Sequence, residues 1–113
     1  MSRNFLFSSP PYAVEQAIKQ LGANLRTARL RRNLSVHEVA QKIGTGPRAV
    51  IDTEKGKSST GIAVYVALLW AFDLLDQLDG VADPERDKEG SALARSRERT
   101  RARRGRGPLS DDF

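Results

Sequence analysis

The sequence predicts an all-α fold, a compact bundle of five helices followed by a sixth helix and a basic tail. Apolar residues recur at spacings of three and four in successive segments. Helix starts and stops (Ser35, Gly44, Pro47, Gly56, Asp73, Asp83-Pro84) punctuate those segments. No repeat is visible, and no segment reads as a strand.

Residues 1–12 carry two prolines among them and the adjacent pair Ser8-Ser9, and read as an N-terminal arm. The first long helix should run from about Ala13 to Arg32. Ile18, Leu21, Leu25 and Ala28 give it one buried face, with Arg26, Arg31 and Arg32 mostly off it. Asn33 ends it. The next run, Leu34 to Gly44, begins with Ser35, a natural N-cap, and Glu38 three residues on completes a capping box. Leu34 and Val39 are spaced for a hydrophobic staple, and Val39, Ala40 and Ile43 form an apolar stripe. Gly44 suits a left-handed terminus. Thr45 and Gly46 make the turn, and Pro47 opens a helix that reaches Lys55 and stops at Gly56. Two short helices joined this way have the spacing of a helix-turn-helix, with Ala40 small where they cross.

Thr60 reads as the cap of a fourth helix over about Gly61–Phe72, apolar on nearly every side. Trp70 reads as a packing residue. Asp73 looks like the cap of a fifth helix with Leu74, Leu75, Leu78 and Val81 as its apolar side. The excess apolar surface of these two helices suggests a homodimer interface drawn from Tyr65, Leu69, Phe72, Leu75 and Leu78. Asp83-Pro84-Glu85 should start a sixth helix, weakened by Gly90.

The domain organisation follows: 1–12 an arm, 13–82 the helix-turn-helix domain, 83–100 a C-terminal helix, 101–113 a basic flexible tail. The positions Leu34, Ser35, Glu38, Val39, Ala40, Ile43, Gly44, Val50, Glu54 and Gly56 resemble the phage-repressor-like, Xre-type helix-turn-helix family. The stretch from Glu54 through Leu78, with Ala82–Gly90, is similar to the HipB-like antitoxins that accompany HipA-like kinases. The resemblance implies an ion pair between Arg29 and Glu54. It places base reading on Pro47, Arg48, Ile51 and Asp52, and phosphate contacts on Thr45, Lys42, Lys55 and Lys57. Arg48 can give two hydrogen bonds to guanine, and Ile51 can touch a thymine methyl. Asp52 can accept from cytosine, yet would face a phosphate-rich groove. Val36 stands where many relatives carry glutamine, and Thr53 where an apolar residue is usual.

The implied function is sequence-specific binding of double-stranded DNA by a homodimer on a two-fold operator, repressing its own operon as an antitoxin. The alternatives are a protein-binding module that neutralises a HipA-like kinase, with DNA binding secondary, and an ordinary Xre-type repressor without a toxin partner. Composition agrees with a polyanionic partner: the 113 residues carry a net charge of +5. Residues 95–106 hold seven arginines against one acid, Glu98. That run fits DNA-backbone contact, partner docking or simple solubility, and Phe113, an aromatic with no local core to join, could anchor in a partner protein. Cysteine is absent and His37 is the single histidine, which leaves no thiol, zinc cluster or acid–base set. An enzyme, a bound cofactor and a metal are therefore not expected. Phe5-Leu6-Phe7 is too short for a signal peptide and Ile62–Phe72 too short for a membrane span, which suits a cytoplasmic protein.

Overall fold

The computed structural model describes residues 5–104, which are helical with no strand among them. The helices are α1 (Phe5–Ser8), α2 (Tyr12–Arg31), α3 (Val36–Ile43), α4 (Pro47–Glu54), α5 (Ile62–Ala71) and α6 (Lys88–Arg104), with a 3₁₀ segment at Leu75–Gly80. The chain divides after Asp76 into two compact units.

In the first unit α2 packs on α4 and α5, α3 packs on α4 and α5, and α4 touches α5. The core between them is made of Leu25, Val39, Val50, Leu68 and Phe72, completed by Ala28, Ala40, Tyr65, Leu69 and Ala71. The buried face of α2 is Gly22, Leu25, Ala28 and Arg29. Leu21, expected on that face, is exposed, and Ile18 is half-buried. Thr53 is fully buried, and its hydroxyl donates to the Ala49 carbonyl at 2.8 Å, so a polar residue fits an apolar position. The Tyr65 hydroxyl is buried without a hydrogen-bond partner among the described residues, and burial pushes its pKa up.

Four successive helices stop by one device. Asn33, Gly44, Gly56 and Asp73 all have positive φ, at 55°, 79°, 70° and 59°. In each case the amide of the left-handed residue and the next amide turn back onto carbonyls of the last turn, as in Asp73 N to Trp70 O and Leu74 N to Leu69 O. Asp73 is therefore the terminator of α5 and not the cap of a fifth α-helix. Short polar side chains tolerate this conformation, which is why Asn and Asp can stand where Gly stands elsewhere. Beyond it the chain makes only the 3₁₀ segment. The cap of α5 is Gly61 and not Thr60, without a side-chain bond.

The start of α3 is the expected capping box. Glu38 N donates to Ser35 Oγ at 3.1 Å, and Ser35 N donates to Glu38 Oε1 at 2.9 Å. The Ser35 amide and hydroxyl hold the Glu38 carboxyl below its ordinary pKa.

Gly22 sits where α2 meets the end of α4. A methyl group there would overlap the Thr53 carbonyl oxygen and stand 2.8 Å from the Glu54 carbonyl oxygen. Both obstacles are backbone, so they cannot swing aside. Alanine would gain about 1 kcal/mol of helix propensity over glycine, but overpacking costs about 1–3 kcal/mol. Gly22→Ala is therefore expected to destabilise the protein by about 1–2 kcal/mol, read from urea melts. A stabilised variant would show that α2 and α4 do not approach this closely.

In the second unit the turn at Asp83–Arg86 precedes the last helix instead of starting it. Asp87 is the residue that caps α6, its Oδ1 accepting from Gly90 N at 2.9 Å. The helix thus begins four residues later than Asp83 implied and continues through Arg101 and Arg103 to Arg104, into the segment read as a flexible tail. α6 buries no residue, and Leu93 is exposed. Arg106 and Phe113 lie outside the described residues. Among the described residues no helix is long and apolar enough to cross a membrane, and no cluster of potential metal ligands forms.

Candidate nucleic-acid interface

The position of α4 is set from three sides. The left-handed Gly44 and the short turn to Gly46 deliver the chain to Pro47, the first residue of α4. Val50 and Thr53 bury one side of the helix. At its end Glu54 takes two hydrogen bonds from Arg29 of α2, from Nε at 2.6 Å and from Nη2 at 3.0 Å. Arg29 Nη1 donates to the Leu34 carbonyl at 2.8 Å. The side chains are only 9% and 7% exposed. A single guanidinium thus ties α2, the entry to α3 and the end of α4 together. Its pKa is raised by the bond to Glu54, against the opposing effect of burial.

Arg48 of α4 and Lys55 at its C-cap are exposed, and the half-buried Asp52 lies between them at spacings of four and three, so the three share one side. The Arg48 side chain is 73% exposed. Pro47, Ile51 and Thr45 are half-buried beside it. Gly46, the N-cap, has no side chain to accept from the first-turn amides of α4, in contrast to the capping box of α3. Lys57 follows on the exposed side, and a shallow cleft brings Lys19, Lys55 and Lys57 together with Ser8 and Ser58.

Asp52 does not stand alone on this surface. Its Oδ1 lies 3.4 Å from Arg48 Nε and 3.8 Å from Lys57 Nζ. The carboxylate is an internal counter-ion between two of the cations assigned to DNA contact.

Lys42 is placed differently from the resemblance. Its Nζ donates to the Ala71 carbonyl at 3.3 Å and lies 5.8 Å from the centre of the Trp70 ring. It serves the end of α5 and is not on the exposed side of α4. Arg32 does the same work there, donating to the Phe72 carbonyl at 2.9 Å. Cations at a helix C-terminus complement its carbonyls and its dipole, so both are accounted for structurally. No sequence signal pairs Arg32 or Lys42 with α5, because the partners are backbone carbonyls far along the chain.

The residues offered for a dimer interface are also redistributed. Tyr65, Leu69 and Phe72 are buried within the first unit and are not available to a second chain. Leu75 is exposed, and Leu78, in the second unit, is half-buried. Trp70, expected in the core, is 53% exposed, as is most of Ile62. No family model matches the chain, and no curated protein and no solved structure matches it.

Proposed function

We propose that the chain is a sequence-specific DNA-binding transcriptional regulator with the phage-repressor-like, Xre-type helix-turn-helix bundle. It acts as a homodimer on a two-fold operator and represses its own operon as a HipB-like antitoxin. The observation that supports this reading is the short helix α4, held at one end by a buried bidentate ion pair and presenting Arg48 outward at the other. A rigid short helix with an exposed arginine near its N-terminus suits the DNA major groove. Lys55 and Lys57 flank it where phosphates would pass. One such helix reads few base pairs, so a dimer with half-sites about 34–36 Å apart is part of the proposal. A dimer built on α5 would use Ile62, Val66 and Trp70, which recur every four residues and are not fully buried. The antitoxin role rests on the resemblance of the region after the motif, and a HipA-like kinase encoded beside this gene would support it.

Selection from a random duplex library, followed by binding titrations at several salt concentrations, tests the DNA reading. One preferred two-fold sequence is expected. Arg48→Ala should lose about 1–3 kcal/mol on it and relax preference at one base pair per half-site. Lys55→Ala should weaken all duplexes alike and flatten the salt dependence by about one unit. A library that yields no preferred sequence overturns the proposal.

A further inference from the structure

Asp52 is an unusual residue to find beside an arginine meant for a polyanion. Its side chain is 22% exposed, and its Oδ1 is buried without a hydrogen bond among the described residues. The same oxygen is within ion-pair distance of Arg48 Nε and Lys57 Nζ. Helix stability does not explain the pair. The cation precedes the acid by four residues, the less favourable order against the helix dipole, and Arg48 is largely in solvent, where such pairs contribute little.

The geometry of the guanidinium suggests a different role. Arginine has one N–H on Nε and two on each terminal nitrogen, in a fixed plane. Asp52 Oδ1 lies 3.4 Å from Nε, an ion-pair distance without a hydrogen bond. Nη1 and Nη2 make no hydrogen bond among the described residues, and that end matches O6 and N7 of guanine. An unrestrained arginine can instead turn its Nε side to a phosphate, where the contact carries no sequence information. We infer that Asp52 is a positioning residue: as the ion-pair partner nearest Arg48 Nε it disfavours a phosphate on that side and aims the terminal nitrogens at a guanine edge. Lys57 offsets the charge of Asp52 toward the DNA backbone. Part of the rotamer freedom of Arg48 is lost before binding, which favours the one geometry that reads a base. The inference rests on the DNA reading proposed above, and it differs from direct reading of cytosine by Asp52.

The test uses the full chain and Asp52→Asn, which keeps the shape and removes the charge. The probes are the selected operator duplex and the same duplex with the preferred guanine of each half-site replaced. Asp52→Asn is expected to bind the altered duplex more tightly than wild type does. The ratio of operator to altered-duplex affinity should fall about tenfold, and the salt dependence should steepen by about one unit as Arg48 turns to phosphate. In an Arg48→Ala background the same change should leave the ratio where it is. In the free protein, the Arg48 Nε–H NMR signal should report a restrained side chain in wild type and a mobile one in Asp52→Asn. An unchanged ratio in Asp52→Asn, or equal Arg48 mobility in the two free proteins, overturns the positioning role while leaving DNA binding intact. A ratio that still shifts when Arg48 is alanine means that Asp52 reads the base itself. A wild type that prefers neither duplex overturns the DNA reading, and this inference with it.

Discussion

Glu54→Ala is expected to destabilise the protein by about 3–5 kcal/mol, the cost of breaking a buried ion pair from one side. The guanidinium of Arg29 would remain charged and largely buried, with the Leu34 carbonyl as its one remaining partner among those it now holds. Against a typical total stability of about 5–15 kcal/mol, such a loss should lower Tm by roughly 15 °C or more. It should also free the end of α4, so the proposed DNA binding would weaken even under conditions where the variant stays folded. Replacing both partners with apolar residues, Arg29→Met with Glu54→Leu, should recover much of the loss, because the desolvated charges go together. Urea melts of the wild type, the single variant and the double variant measure this. A Glu54→Ala penalty below about 1 kcal/mol would place the pair with ordinary surface ion pairs, and α4 would then be held by packing alone.

Phe72 and Trp70 should behave in the reverse of the order their sizes suggest. Phe72 is buried at the heart of the first unit, 1% exposed, and its carbonyl takes the Arg32 bond. Truncating it leaves a cavity and removes the packing of several helices, so Phe72→Ala is expected to cost about 3–5 kcal/mol. Trp70→Ala removes a larger side chain that lies mostly in solvent, with one cation–π contact to Lys42. It should cost about 1 kcal/mol or less of protomer stability. If α5 carries the dimer, Trp70→Ala is also the variant that lowers the mass seen by light scattering. A Phe72→Ala protein of wild-type stability that has lost only its partner chain would return Phe72 to the interface.

Local devices were legible because their partners are close in sequence. Ser35 and Glu38 cap each other across three residues, Pro47 needs only its own ring, and Gly44 and Gly56 need only the absence of a Cβ. Gly56 has a further reason, since a Cβ there would also lie 2.5 Å from the Lys19 Cα. The Arg29–Glu54 pair spans 25 positions. Periodicity and composition do not connect two such residues, and the expectation came from the resemblance.

Other choices had no local signature. α5 is apolar around its circumference, so no stripe tells inside from outside; contact with α2, α3 and α4 selected Leu68 and Phe72 and left Trp70 and Ile62 in solvent. Asp73 has chemistry suited to both a helix start and a left-handed stop, and the return of the Leu74 amide to Leu69 decided for the stop. Asp52 could be a base reader or a repelling charge for as long as its neighbours in space are unknown. Its pair with Arg48 joins neighbouring turns of α4, four residues apart, and its pair with Lys57 exists because the turn after α4 brings the chain back alongside the helix. By itself the sequence determined the helical class, the capping box of Ser35 and Glu38 and the turn from Gly44 to Pro47, all of them backbone preferences satisfied within about one helical turn. Only the tertiary structure decided which side of each helix is covered, and which cations are committed to α5 and which remain for a ligand, because burial and ion pairing depend on neighbours that sequence distance does not encode.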